Sequence, residues 1–313
     1  MQLPSVLQMR IEQLFINMKP NEVRSAAEVL SLRYRMGEKA PDGTRLLTSE
    51  QEMRAYCAFR MPSTYACVHR ALEITGVTGF RTLTDVGSGT GCVLWAAEDF
   101  SEGLERADLL ERESGMIALA KELAQEKDNV RWTQGDMRKM DIPKSELVTA
   151  SFTLGELAPE DAEKVVKRLW EATERMLLIV EPGTPAGFAR IRKYMELLKD
   201  LGGNVAAPCP ETEKCPITGE DWCHFTVRVE RSRLHKYLKD GEAPYEDEKF
   251  CFVAVTREKV TPAGMRIRRR PLIEKGCVTL PVCCKEGIKE IKVTRKNERF
   301  KTARKAEVGD VWE

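Results

Sequence analysis

No run of apolar residues in this 313-residue chain approaches the roughly 20 needed to span a bilayer, so nothing in it reads as a membrane helix. The opening "MQLPSVLQMRIEQLF" lacks the regions of a secretory leader. The ten cysteines are therefore expected in a cytoplasmic setting, where thiols stay reduced unless a metal holds them. An excess of either charge is missing too. Fifty Lys and Arg stand against 49 Asp and Glu, which gives no overall pull toward nucleic acid or membrane. Internal repeats and low-complexity tracts are absent. What remains is a globular composition with enough length for a sizeable core and for more than one unit.

Within that length the periodicity changes twice. Helical spacing in "VRSAAEVLSLRYRM", "SEQEMRAYCAFR" and "MPSTYACVHRALEI" predicts a helical cap over residues 1–76. Ser49 is placed to cap the second of these helices, and the third is expected to begin just after Pro62. From about residue 80, short β-rich runs ("RTLTDV", "RADLLE", "NVRWTQG", "ELVTASFT", "RMLLIVEPG") alternate with helical ones. A βα series of this kind calls for a parallel sheet covered on both faces, assigned to residues 77–260 with a cysteine-rich insertion near 205–225. Two further strands, "HFTVRVE" and "KFCFVAVT", flank a short basic helix. From residue 261 to 313 the chain becomes a small, basic, β-rich module. The expected fold class is α/β, and the expected oligomeric state is a monomer.

The first chemical motif is "DVGSGTG". Asp85 leads into Gly87, Ser88, Gly89, Thr90 and Gly91 at the end of the first strand, where glycines allow a tight turn and close approach of a ligand to a helix N-terminus. A dinucleotide fingerprint would put its third glycine at 92, where this chain has Cys92. The loop instead resembles the first motif of Rossmann-like methyltransferases that use S-adenosylmethionine. That likeness implies a role for Asp85 in holding the cofactor's amino end. Glu111 closes the second strand, where a carboxylate can accept hydrogen bonds from both ribose hydroxyls. Asp136, with Met137 beside it, follows the third strand, where the likeness implies contact with the adenine.

A closer resemblance spans nearly the whole chain. "AYCAFRMPSTYA", "EPGTPAGF", "CPETEKCPITGEDWCHF", "YEDEKFCFVAV" and "GDVW", in that order, resemble the Rsm-type small-ribosomal-subunit methyltransferase family. The resemblance implies a methyltransferase fold bound to the small ribosomal subunit during assembly, with a four-iron, four-sulfur (4Fe–4S) cluster on four cysteines. Three of these would be Cys209, Cys215 and Cys223, whose intervals of six and eight residues exceed the C-x₂₋₄-C pairs common in zinc sites. A fourth must come from elsewhere. Cys283 and Cys284 are the candidates; spacing does not separate them, and the family pattern matches Cys283. Zinc on the same thiols, with His224, is the alternative. Simple packing suits Cys57, Cys67, Cys92 and Cys251, which lie in apolar helix or strand patterns.

Residues 261–313 carry twice as many Lys and Arg as Asp and Glu, and Arg266, Arg268 and Arg270 alternate along one predicted strand face. A phosphate backbone is the natural partner, and the resemblance makes it ribosomal RNA. The signs of methyl transfer are fewer. Base-amino methyltransferases usually carry an Asn or Asp, two prolines and an aromatic after the fourth strand, where this chain reads "SFTLGEL". Glu156 and Glu181 are the candidate catalytic acids or bases. Two readings stand: an S-adenosylmethionine-dependent rRNA methyltransferase, or an inactive cofactor-binding assembly factor of the small subunit. A protein or small-molecule methyltransferase is disfavoured by the basic module.

Overall fold

Apolar residues at consecutive rather than alternate positions mark the central strands, and in the computed structural model they form one sheet buried on both faces. The structure describes residues 1–36, 49–125, 127–210, 214–239 and 241–313; residues 211–213 of the cysteine segment lie outside that set. The N-terminal cap contains α1 (Ser5–Gln13), α2 (Pro20–Met36), α3 (Glu50–Phe59) and α4 (Met61–Thr75). Ser49 caps α3 by accepting from the Glu52 N–H at 3.2 Å. Pro62 sits in the first turn of α4, where its missing N–H costs nothing, so the helix begins at Met61 rather than after the proline.

The sheet follows as β1 (Phe80–Val86), α5 (Cys92–Glu98), β2 (Ser101–Glu111), α6 (Ser114–Leu123), β3 (Val130–Gln134), β4 (Ser145–Ser151), α7 (Pro159–Ala172), β5 (Thr173–Pro182) and α8 (Pro185–Asp200). Next come β6 (Asn204–Ala207), β7 (Phe225–Glu230), α9 (Arg233–Leu238) and β8 (Tyr245–Thr256). Strand order is β3-β2-β1-β4-β5-β8-β6, with β7 also on β8. Strands β1 to β5 are parallel, as expected. Strand β8 departs from that expectation by running antiparallel to β5. Its apolar run identifies a buried strand, but burial on both faces is indifferent to direction. This is a Rossmann-like α/β order with one antiparallel strand added beyond β5.

Side-chain parity divides the core. Met176, Leu178 and Val180 of β5, with Phe250, Phe252 and Ala254 of β8, pack on the side of the N-terminal helices. Leu177 and Ile179, with Val253 and Val255, pack toward α7 and α8. Each large side chain so buried contributes roughly 1.5–3 kcal/mol. The chain leaves β1 in both directions across the sheet, β2 and β3 on one side and β4 and β5 on the other. A crevice therefore opens beyond the carboxyl ends of β1 and β4, the usual ligand position in such sheets.

Two features bear on the cysteines. Strands β6 and β7 both run antiparallel to β8, β6 against its end at Ala254–Thr256 and β7 against Tyr245–Phe250. The cysteine segment is thus an insertion between two stretches that pair with the same strand. The C-terminal module comprises β9 (Met265–Ile267), β10 (Leu272–Glu274), β11 (Cys277–Cys284), β12 (Gly287–Thr294) and α10 (Phe300–Ala303). Its own core is small: Ile267, Val278, Leu280, Val282, Val293, Ala303 and Trp312. Among the described residues no helix is long and apolar enough to cross a membrane.

Candidate cofactor and cysteine sites

Three glycines turn the chain out of β1 in left-handed conformations: Gly87 at φ 73°, Gly89 at φ 53° and Gly91 at φ 77°. The Gly87 and Ser88 N–H groups donate to the Leu110 carbonyl at 2.8 and 3.1 Å, tying the loop to the end of β2. A Cβ on Gly87 would lie 2.3 Å from Thr153 Oγ1. Gly87→Ala is therefore expected to cost roughly 1–3 kcal/mol, combining left-handed strain with overpacking. Gly103, at φ +83° and with nothing within 4 Å of where a methyl would sit, is the control for strain alone. Equal losses in the two urea denaturation midpoints would show that the Thr153 contact contributes nothing.

Asp85 is buried beneath this loop. Thr149 Oγ1 donates to its Oδ1 at 2.6 Å, while Oδ2 has no hydrogen-bond partner among the described residues. Burial, with the Glu111 carboxylate adding to it, pushes the Asp85 carboxyl up to about 7. The hydroxyls of Ser88 and Thr90 are also buried without a partner among the described residues. Glu111 accepts from the Gly89 N–H at 2.8 Å and from the Glu113 N–H at 2.9 Å, which leaves each carboxylate oxygen a lone pair for a ligand hydroxyl. Asp136 accepts from Arg138 Nη2 at 2.7 Å and from the Arg138 N–H at 2.9 Å. These bonds hold its carboxyl below the usual range. Met137 packs toward the α7 side of the core, and its carbonyl accepts from Arg168 at 2.8 Å.

The two candidate acid–base groups differ. Glu181 is buried, and one of its oxygens takes both Nε and Nη2 of Arg190, at 2.8 and 2.6 Å. Desolvation raises its carboxyl while Arg190 opposes the rise. Glu156 lies in a single turn at Leu154–Glu156 and is exposed at the edge of the crevice. Crowding that desolvates it, then the nearby Glu111 carboxylate, lifts it to about 7. Before it, Phe152 has φ 58°, the one non-glycine residue with positive φ among those described. Thr149, Thr153, Arg138 and Arg190 were not singled out in the sequence. Thr149 lies opposite Asp85 in the β1–β4 register, a relation that appears only once the strands are paired.

The cysteine segment folds over a cavity shared with the C-terminal module. Cys209, Cys215, Cys223 and Cys283 line it, with Cys251, Arg192, Arg266, Arg268 and apolar residues; no carboxylate or imidazole is on its wall among the described residues. Cys284 points to the opposite face of β11, where its thiol donates to Glu286 at 3.1 Å and to the Gly287 carbonyl at 3.3 Å. Cys251 turns its thiol to the Pro182 carbonyl at 3.2 Å. Burial lifts the thiols of Cys209, Cys223 and Cys283. Among the described residues, no group of three or more His, Cys, Asp or Glu side chains converges closely enough to hold a metal ion. The four cysteines thus share a wall without forming a ligand shell. The donor set fits a thiophilic centre and suits hard cations poorly. His224 does not join it, because its Nδ1 faces Arg269 at 3.2 Å and its ring lies against Trp222.

The arginine reading needs correction. Arg266 and Arg268 do share a strand face, but that face turns inward to the cysteine cavity, and they are only 5% and 9% exposed. Arg270 is exposed. Alternation fixes which residues share a face and leaves open which face meets solvent.

Comparison with known proteins places this geometry. The family model described as "Mitochondrial small ribosomal subunit Rsm22" matches residues 50–313. The chain belongs to the Rsm22 family. The match runs from α3 to the carboxyl end and takes in the glycine loop and the cysteine cavity. The human mitochondrial ribosome assembly protein METTL17 is 29% identical over 256 residues, covering 74% of this chain and 55% of that protein. The chain thus spans about half the length of the curated relative it matches. Among solved structures, a SAM-dependent methyltransferase from Aquifex aeolicus is 16% identical, covering 67% of this chain and 100% of that one at a TM-score of 0.42. Magnesium protoporphyrin IX methyltransferase from Synechocystis is 15% identical, covering 74% and 97% at 0.41. The Rsm22 assignment agrees with the resemblance carried by the separated sequence motifs.

Proposed function

We propose that this Rsm22-family chain is an S-adenosylmethionine-binding assembly factor of the small ribosomal subunit, which holds ribosomal RNA through its basic C-terminal module. The observation that carries the cofactor part is the buried Asp85 carboxylate, its Oδ2 without a partner among the described residues, beneath a left-handed glycine loop. An ammonium group is the partner such an oxygen calls for, and Glu111 stands one strand away for the ribose. The ribosomal part draws on the family description and on the assembly role in the name of the human relative. In this reading the cysteine cavity holds a 4Fe–4S cluster through Cys209, Cys215, Cys223 and Cys283, with zinc on the same thiols as the alternative. When bound, such a centre supplies a covalent staple between the insertion and a module whose own core is small.

Exposed bases on the module include Lys285, Lys289, Lys292, Arg295, Lys296 and Lys305. Replacing Lys292, Arg295 and Lys296 by Gln is expected to weaken binding to a small-subunit rRNA fragment and flatten its salt dependence. The log–log slope should fall by about 2–3, from the lost phosphate contacts. An unchanged slope would remove this surface from the RNA interface.

A second reading, methyl transfer to rRNA, is favoured by Phe152, whose left-handed backbone at the end of β4 is the kind of strain found at working sites. Glu156 beside it is the candidate proton acceptor. Glu181 is tied to Arg190 and suits positioning better. Depleting the protein in its host and scoring mature small subunits tests both readings. Rescue by the wild-type chain, with co-sedimentation on immature particles, is the expected result. Depletion that leaves rRNA methylation unchanged would sink the enzymatic reading, unchanged methylation with Glu156→Gln would remove Glu156 from it, and failure to sediment with the particles would sink the proposal.

A further inference from the structure

Among the described residues, Arg266 is a buried cation without a carboxylate of its own. Its Nη1 donates to the Gly309 carbonyl at 2.6 Å, and its Nε has no hydrogen-bond partner among the described residues. Two nearby acids among the described residues are already engaged. Asp221 takes both Arg268 and Arg269, and Asp310 takes Arg70 at 3.0 Å. A desolvated charge in that position is strongly unfavourable unless an anion faces it. Across the sheet Arg266 is in register with Cys283, and both line the cavity with Cys209, Cys215 and Cys223.

The local charges can be counted. Arg192, Arg266 and Arg268 line the cavity, Arg268 shares Asp221 with Arg269, and no carboxylate is on the wall among the described residues, so the described lining carries net positive charge. Four thiolates around an oxidised 4Fe–4S core, or around one zinc ion, carry two negative charges. We infer that Arg266, supported by Arg268, is the counter-cation of a four-thiolate centre in this cavity, and that its burial is tolerated because that anion faces it. The inference rests on the metal reading proposed above. It gives Arg266 a positioning role: its charge retains the centre, while its N–H groups pin β9 to the Gly309 turn.

The test compares wild-type protein with Arg266→Met and Arg266→Lys, all purified without oxygen. Iron, acid-labile sulfide and zinc per chain are measured, followed by melting curves before and after chelation. Arg266→Met is expected to hold its metal on the order of 10–100-fold more weakly, with Arg266→Lys in between. If the centre is a cluster, the midpoint potential shifts negative in Arg266→Met, because the more anionic reduced state loses its counter-charge. After chelation the order of stability reverses: metal-free Arg266→Met melts at or above metal-free wild type, since the unpaired cation is gone. A purely structural role would lower both forms alike. Should Arg266→Met fail to fold, Arg266→Gln removes the charge while keeping a donor for the Gly309 carbonyl. Loaded wild type with an equally loaded, isopotential variant overturns this inference alone. Wild type that holds neither iron nor zinc overturns the metal reading and this inference with it.

Discussion

Replacing Asp85 by Asn is expected to stabilise the cofactor-free protein at pH 8 and to abolish its binding of S-adenosylmethionine. The carboxyl is buried and lifted to about 7, against an ordinary value near 4. Between those two pH values the folded chain keeps a proton that the unfolded chain has released. Stability therefore falls as pH rises through that window and stays reduced above it. The full penalty is about 4 kcal/mol by linkage, of which about 2–4 should be recovered by a neutral amide. Asparagine still offers an oxygen to the Thr149 hydroxyl, so the substitution removes charge without removing the hydrogen bond. Denaturant midpoints at pH 8 and pH 4 check the claim, since the gain should shrink toward the acid end. Calorimetric titration checks the other half: wild-type affinity for the cofactor should weaken below pH 7, where Asp85 is protonated, and Asp85→Asn should bind nothing measurable. A variant that binds as wild type would remove Asp85 from the cofactor site.

On the metal reading proposed above, Cys215→Ser should abolish metal binding and release the C-terminal module. Metal ligation in small domains contributes about 10–16 kcal/mol to folding, and loss of one of four thiolates forfeits much of it. The module has little to fall back on, with a core confined to a few residues around Ile267, Leu280 and Trp312. What else joins it to the rest of the chain is a small apolar contact of Val308 with the main core, together with the Arg268 and Arg269 pairs with Asp221 and the Arg70 pair with Asp310. Hydrogen exchange should show β9 to β12 losing protection while β1, β4 and β5 keep theirs, and the protein should lose its iron and sulfide, or its zinc. Retained metal together with unchanged exchange in β11 would defeat the staple role.

Much of the molecule is legible from its residues, for identifiable reasons. The alternation of β-rich and helical runs, the caps at Ser49 and Pro62 and the glycine loop after β1 are all local signals, set by a few neighbouring residues. Acids at successive strand ends, Asp85 and Glu111, are readable because a parallel sheet brings all its carboxyl ends to one edge. The family could be named from ordered motifs for a related reason, since several separated stretches must agree.

What stayed hidden is relational. "VAA" of β6 is too short to announce a strand, and it becomes one only by pairing with β8. The direction of β8, the pairing of Thr149 with Asp85 and the grip of Arg190 on Glu181 each join residues distant in sequence. Arg266, Arg268 and Arg270 show the same limit most plainly. Their period-2 spacing determined that they share a face, and their charge suggested solvent. Packing of β9 across the insertion turned the first two inward, toward thiols more than 40 residues earlier in the chain. The sequence alone therefore determined most of the elements, their order and the family. Tertiary structure decided which cysteine of the pair at 283 and 284 joins the other three, and which charges meet solvent, because burial depends on what arrives from elsewhere in the chain.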